Sequence, residues 1–252
     1  METLKFTLKG KSAFFKKPDV NSYFYFTYGN IHKVALLGIF GAILGYSGYN
    51  HLKKKGTGEN ITPEFYRKLK DLKISIVPKA DKGFIPKKVQ VFNNSVGYAS
   101  HEKGGNLIVK EQWLENPSWD IYVLLNNEES LKIKDALINK SAIFIPYLGS
   151  NDHFADIIDV KVVECNIALE KVSSIHGLYP KRYGDIVWKD NDEEDDDDDE
   201  IVSLFKYEEG LPIGLNSITN MYIMDKFVYT NMYVKVKDID VYHCDDRNLI
   251  FY

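Results

Sequence analysis

Cysteine is scarce in this chain. Its 252 residues include only two cysteines, Cys165 and Cys244, and these lie far apart in the sequence. Two distant thiols make no disulfide framework, and they are too few for a structural zinc site. We therefore expect both side chains to be buried fillers, and we expect the protein to work in a reducing cytoplasm.

A long hydrophobic run is also missing. The longest apolar stretch, VALLGIFGAILGY at residues 34–46, spans 13 residues, whereas a helix needs about 20 to cross a bilayer. It also lies too far along the chain, and lacks the cleavage site, to be a secretory signal. The run predicts a buried helix, capped by Asn30, stopped at Gly48 and without a membrane partner.

Recognisable catalytic and metal-binding motifs are absent as well. None of the six histidines belongs to an H-x-x-x-H or H-E-x-x-H pair, and His153 with Asp156 is too common a coincidence to predict a metal site. The chain has neither a G-x-x-x-x-G-K-[ST] loop nor a G-x-S-x-G turn. We expect no metal and no cofactor.

Charge is unevenly distributed. The net charge is -4, yet residues 190–200, DNDEEDDDDDE, hold ten of the 36 acidic residues. Residues 1–110 carry 19 Lys and Arg against 7 Asp and Glu, whereas residues 111–252 carry 13 against 29. A basic half joined to an acidic half predicts one side that faces a polyanion. The acidic run predicts a solvated, flexible loop.

Hydrophobic periodicity predicts an α+β fold. Two alternating apolar runs within residues 84–113 indicate a protruding β-hairpin, or thumb, inserted into a ferredoxin-like sandwich. We expect this domain to occupy residues 1–165, followed by a smaller, irregular β-rich region over 166–252. The strands and helices that lead to this expectation are strands at 4–15, 74–78, 119–125, 142–145 and 157–164, and helices at 31–46, after Thr62 and at 128–140.

Aromatic and basic side chains occur together in residues 14–30, FFKKPDVNSYFYFTYGN. A single RNA strand is bound by cations that follow its phosphates and by flat rings that stack on unpaired bases, at about 1–3 kcal/mol per base. We expect about half of these rings to pack under the first helix instead. Few acidic residues lie among the lysines of the N-terminal half, and this distribution favours a polyanion-binding face.

Residues 11–45, KSAFFKKPDVNSYFYFTYGNIHKVALLGIFGAILG, resemble the N-terminal signature of the Cas-five family of CRISPR-associated proteins, in the subtype of type I-B systems. The resemblance continues through IPYLGSNDHFADI at 145–157 and weakly into LPIG at 211–214. It covers about the first 165 residues well and the C-terminal part poorly.

This resemblance implies a RAMP-superfamily protein with an RRM-like, ferredoxin-like domain. Such a subunit holds the 5′ handle of the CRISPR RNA (crRNA) at one end of the Cascade surveillance complex, in antiviral defence. Its thumb locks against the Cas-seven backbone subunit, and it docks the large Cas-eight subunit. Contact with target DNA near the PAM stays open. The expected RNA-binding residues are Lys9, Lys11, Phe15, Lys16, Lys17, Asn21, Tyr28, His32, Lys33, Gly38, Gly41, Lys87, Lys88, Tyr98, His101 and Lys103.

Two alternatives stay open. One branch of the family cuts repeat RNA by metal-independent acid–base chemistry with a tyrosine and an adjacent lysine and histidine. This chain has no adjacent Lys–His pair, so we expect no catalysis; His101, Lys103 and Tyr28 (or Tyr98) are the nearest candidates for an endoribonuclease. The other alternative is a protein-only scaffold whose lysines meet an acidic partner.

Overall fold

The centre of the fold is a six-stranded antiparallel sheet. The computed structural model describes residues 1–19, 24–52, 62–93, 95, 97–98, 101–168, 172–187 and 203–252. The strands follow the order β15, β14, β7, β1, β6, β3 across the sheet. Their bounds are β1 Glu2–Lys9, β3 Ile74–Pro78, β6 Ser118–Leu124, β7 Asp156–Ile167, β14 Val241–Cys244 and β15 Arg247–Ile250.

Three small sheets surround this centre. The first contains the hairpin predicted from the alternating runs, in which β4 and β5 pair from Lys87 with Leu114 to Asn93 with Ile108. The other two contain most of the C-terminal strands. The orders are β2-β5-β4, β10-β13-β8 and β11-β12-β9. The bounds are β2 Ser12–Ala13, β4 Lys87–Asn93, β5 Ile108–Glu115, β8 Val172–Ser174, β9 Tyr179–Pro180, β10 Gly184–Val187, β11 Lys206–Leu215, β12 Tyr222–Thr230 and β13 Tyr233–Val236.

The first helix, α1, is Lys33–Leu44 and is apolar on nearly every side, which is typical of a helix enclosed by other elements. Its N-cap is His32 rather than the expected Asn30, whose amide is buried and bonded to Trp119 and Gly83. Its C-cap is Gly45, at φ 76°, three residues before the expected Gly48. The other helices are α2 Glu64–Leu69 and α3 Glu128–Ile138, with single 3-10 turns at Tyr49–His51, Asp81–Gly83 and Lys181–Tyr183.

The strand expected at residues 142–145 does not form. Instead this segment crosses the end of α1, where the N–H groups of Ile143 and Phe144 donate to the carbonyls of Ile43 and Ala42, at 2.9 and 3.1 Å. The last carbonyls of a helix have no partner within it, so a passing backbone satisfies them. The apolar residues of this segment predicted a buried strand, but Ile143, Phe144 and Ile145 are all exposed.

The core lies between the central sheet and the helices. Phe6 of β1 packs edge-on against Phe40 of α1, with ring centres 6.1 Å apart. Leu211 of β11 and Phe227 of β12 belong to the same buried cluster, so the C-terminal strands contribute to it. The prediction of a mixed chain is confirmed: strands dominate and the helices are few.

The expectation of two separate thiols is wrong. Cys165 of β7 and Cys244 of β14 face each other across adjacent antiparallel strands and form a disulfide. Both residues are fully buried. The distance between them in the sequence concealed the pair, because β14 was not predicted as a neighbour of β7. Among the described residues, no helix is long and apolar enough to cross a membrane.

Candidate nucleic-acid interface

A groove of about 740 Å³ runs beside α1. It is lined by the start of the basic-aromatic loop (residues 14–30) and by Phe144, Tyr147 and Gly149 from the turn that covers the end of the helix. Tyr222 of β12 also lines it. The floor is a stripe of α1 residues spaced by three or four, namely Ala35, Gly38, Ile39 and Ala42, with His32 at its start.

The two helix glycines chosen from the sequence have different roles. A Cβ built at Gly38 meets no described atom within 4 Å, so at this position the backbone is open to the groove. A Cβ at Gly41 would lie 2.5 Å from Cβ of Phe65. Gly41 therefore allows α2 to pack closely against α1, whereas Gly38 leaves room for a molecule in the groove.

His32 is a buried, neutral member of the groove. Its Nδ1 accepts the N–H of Ala35 at 3.2 Å, which assigns the ring proton to Nε2. Burial lowers the pKa of His32 to about 3. The ring lies edge-on to Tyr28 and Tyr222, at 5.2 and 5.5 Å between centres. His32 can therefore supply a neutral N–H donor but no positive charge at neutral pH.

The adjacent lysines of the basic-aromatic loop differ in their partners. Lys16 is exposed and lines the groove, with its Nζ 3.7 Å from the centre of the Tyr25 ring. Lys17 lies 3.5 Å from Oε1 of Glu209 and 5.2 Å from the Tyr28 ring centre. Rings and lysines occur together here in part because the rings hold the ammonium groups by cation–π contact. Only Lys16 leaves its charge without a described carboxylate partner.

Glu209 of β11 fixes the base of this loop. Its two carboxylate oxygens accept the N–H of Gly29 at 2.9 and 3.0 Å, and Oε2 also accepts the hydroxyl of Tyr207 at 2.7 Å. Hydrogen bonds to a charged acceptor are stronger than those between neutral groups. The acidic C-terminal half therefore contributes a structural anion that neutralises part of the basic half.

The turn at Gly149 joins the two walls of the groove. Gly149 has φ 97°, and a Cβ there would overlap the carbonyl oxygen of Phe14. The N–H of Phe14 donates to the carbonyl of Leu148 at 3.0 Å. Because no other residue fits this conformation and this close approach, the glycine of the Y-L-G sequence has a structural role.

Several predicted RNA-binding residues are buried. Phe15 and Tyr28, both predicted to bind RNA, are each 3 % exposed and pack beside His32. Lys33 is 8 % exposed, and its Nζ donates to the main-chain oxygen of Tyr252 at 3.1 Å. Burial, followed by repulsion from Lys73, lowers the pKa of Lys33 to about 8. We leave Lys33 out of the interface because its ammonium points into the core.

The remaining predicted residues that the structure describes lie at or just after the end of β1 and in the β4–β5 hairpin. Lys9 ends β1 and Lys11 is exposed just after it. Lys87 and Lys88 begin β4, where Lys88 is 3.7 Å from Glu115. The exposed residues Tyr98, His101 and Lys103 belong to the tip of the β4–β5 hairpin. None of these side chains lines the groove. Asn21 and the acidic run 190–200 fall outside the described residues.

Sequence reasoning missed many groove residues, among them Tyr49, His51 and Tyr222. Tyr49 and His51 form the 3-10 turn after α1, and Tyr222 starts β12. Tyr222 carried no signal because the C-terminal part was interpreted as irregular. Tyr49 follows Gly45 and Gly48 and precedes the basic run at 53–55 in the sequence, a context that indicates only a loop. Within the described ranges, no group of three or more His, Cys, Asp or Glu could hold a metal ion.

Comparison with known proteins shows where this fold occurs. No family model matches the chain, and no curated protein matches it. A chain of a CRISPR RNA-guided surveillance complex has a TM-score of 0.53 and 13% identity, covering 91% of this chain and 90% of that chain. A CRISPR protein from Archaeoglobus fulgidus has a TM-score of 0.51 and 13% identity, covering 100% of this chain and 98% of that chain. At this identity the likeness shows a shared fold.

Proposed function

We propose that this protein is a non-catalytic, crRNA-binding subunit of a CRISPR surveillance complex of the Cascade type, and that the α1 groove binds the 5′ handle. The observation that carries the proposal is the groove itself. It has an open backbone at Gly38, an exposed cation at Lys16 and exposed aromatic rings in its lining. The likeness in fold to CRISPR proteins supports the same assignment.

The chemistry of the groove suits an unpaired RNA strand. The rings of Tyr49, Phe144 and Tyr147 are each close to half exposed or more, at 48, 59 and 45 %, so their faces are accessible to bases. Base stacking on such rings is worth about 1–3 kcal/mol per base. Lys16 supplies a charge for a phosphate. A duplex would hide the base faces that these rings need.

The strand order supports the assignment to the RAMP superfamily. The central strands β7, β1, β6 and β3 are antiparallel neighbours, with α1 between β1 and β3 and α3 between β6 and β7. This is the strand and helix order of a ferredoxin-like unit. On this proposal the β4–β5 hairpin is the thumb that contacts the Cas-seven subunit, and the Cas-eight subunit docks nearby.

The absence of catalysis is part of the proposal. The Tyr28 hydroxyl is buried, 3.7 Å from Sδ of Met224, and burial raises its pKa above the usual range. His101 and Lys103 belong to the exposed hairpin tip. A general acid and base must both reach the reacting atoms, and a buried tyrosine is poorly suited to act with residues of that exposed tip.

The test combines binding and cleavage in one sample. Purified protein is mixed with end-labelled repeat RNA in EDTA and run on native and denaturing gels. The proposal expects a shifted, intact RNA. Gly38→Leu, which fills the groove, should abolish the shift, whereas the matched Gly38→Ala should keep it.

Two results would count against the proposal. A shift that survives Gly38→Leu in a folded protein would remove the groove from RNA binding. A discrete product that disappears with His101→Ala would favour the endoribonuclease instead.

A further inference from the structure

The groove continues beyond the end of α1. A second, smaller cavity of about 140 Å³ shares Ser47, Gly48 and His51 with it. A Cβ built at Gly48 meets no described atom within 4 Å, so the rim between the two cavities is low. The far wall of the second cavity is formed by Leu52, Thr62, Glu64 and Arg67.

Among the described residues, the one carboxylate that lines the second cavity is already engaged. Glu64 Oε2 accepts the N–H and the hydroxyl of Ser47, at 3.0 and 2.8 Å, and Oε1 lies 3.6 Å from Nζ of Lys68. The bond from the Ser47 N–H, followed by the bond from its hydroxyl, lowers the pKa of Glu64. Its charge is therefore offset within the fold.

Arg67 of the second cavity is engaged less closely. Its charge contributes to the lowered pKa of Glu64, but Arg67 is exposed and forms no ion pair with a carboxylate among the described residues. His51, which also lines the cavity, is exposed too. Among the residues that the structure describes, Arg67 is the only Arg or Lys side chain that lines this cavity. A guanidinium presents several N–H donors in a fixed plane, which matches the oxygens of a phosphate.

The two cavities place cations at opposite ends of one helix. Lys16 lies beside the start of α1, and Arg67 lies across the turn that follows its end. A helix of 12 residues is about 18 Å long. A stacked strand advances about 3.4 Å per nucleotide, so this length accommodates about five nucleotides.

We propose that Arg67 and His51 form a second phosphate subsite for the RNA strand in the α1 groove. The strand leaves the groove over Gly48, and the phosphate beyond the stacked bases binds in the smaller cavity. Between the two ends, the glycine and apolar floor accepts bases rather than phosphates. This inference rests on the proposed function, because it concerns the path of the same strand.

The experiment is an RNA titration by fluorescence anisotropy over a range of salt concentrations, with Arg67→Ala, Lys16→Ala and Lys70→Ala. Lys70 is the matched control, an exposed cation one turn from Arg67 that lines neither cavity. Arg67→Ala should weaken binding about tenfold, as expected for one charge-assisted contact. It should also reduce the slope of log K against log salt by about 0.7. Arg67→Lys should restore the slope but only part of the affinity.

Three outcomes are decisive. Full affinity in Arg67→Ala together with weaker binding in Lys16→Ala would overturn the second subsite and leave the proposed function standing. Equal losses in Arg67→Ala and Lys70→Ala would overturn it too, because the effect would then be one of general charge. Absence of RNA binding by the unmodified protein would overturn the proposed function and the subsite with it.

Discussion

The ammonium of Lys16 lies 3.7 Å from the centre of the Tyr25 ring and beside the groove, whereas that of Lys17 lies 3.5 Å from Glu209. The two lysines are adjacent in the sequence, yet the charge of Lys16 is more available to a ligand than that of Lys17. Lys17 already has an anion, which RNA would have to replace. This difference predicts unequal effects for charge reversal at Lys16 and at Lys17, which composition alone would treat as equivalent.

We expect Lys16→Glu to weaken the binding of repeat RNA by more than tenfold, since it replaces an attraction with a repulsion of similar size. Lys17→Glu should weaken RNA binding less and should instead reduce stability, because it places two carboxylates together. The control is Lys235→Glu, an exposed lysine of β13 away from the groove. Equal effects of all three charge reversals on RNA affinity would contradict the prediction.

The two glycines of α1 predict stability changes of opposite sign. Gly38→Ala should raise the free energy of unfolding by about 0.5–1 kcal/mol, because alanine is the better helix former and its Cβ meets no described atom. Gly41→Ala should lower it, because the new Cβ would lie 2.5 Å from Phe65. Urea denaturation of both variants measures the difference, and a shift in the same direction would show that the contact with α2 yields easily.

His32 predicts that stability falls in mild acid. Burial lowers its pKa to about 3, whereas in an unfolded chain the pKa is about 6.5. Between these two pKa values the unfolded state binds one more proton than the folded state does. The contribution of His32 to stability is therefore complete above the unfolded-state pKa and is lost as the pH falls. From pH 6.5 to pH 5 the loss amounts to about 2 kcal/mol.

The variant that tests this is His32→Asn, since asparagine caps a helix but does not titrate. Its free energy of unfolding should depend less on pH between 7 and 5 than that of the unmodified protein. His153 and His176, whose pKa values are also lowered by burial, remain in both proteins and provide a common background. An unchanged pH profile would mean that His32 is already accessible to protons in the folded state.

The Cys165–Cys244 bond predicts sensitivity to reduction. It closes a segment of 79 residues, for which the loss of chain entropy in the unfolded state corresponds to about 4 kcal/mol. Thermal unfolding with and without a thiol reductant should therefore differ by several degrees. Cys165→Ser provides the control, because its melting temperature should not respond to reductant; an equal response would assign the effect to something other than this bond.

Much of the fold could be predicted from the sequence where periodicity and length agree. The strand at Ile74–Pro78 and the helix that starts at Glu128 lie where the pattern predicted them. The prediction of a strand at 142–145 was wrong because an apolar run indicates burial. The position of this segment depends instead on its hydrogen bonds to the last carbonyls of α1. Apart from β11 and β12, the strands from β8 to β15 have only two to four residues each, so their period was hard to detect.

The groove could be predicted only in part. Lys16 and Gly38, which were chosen for charge and for an open backbone, both line the groove, since these are local properties. Lys33 was chosen on charge too, but its direction depends on contact with Tyr252, which lies at the far end of the sequence. Tyr222 and Arg67 join the site through packing between elements, which no local pattern records.

The close contact between Gly149 and Phe14 has a consequence for the speed of binding. Because this turn and the basic-aromatic loop touch backbone to backbone, the two walls of the groove form one piece with a fixed separation. A preorganised site loses little conformational entropy when a ligand enters. Stopped-flow association with RNA should therefore proceed in a single phase whose rate rises linearly with protein concentration, with no slower closing step after it.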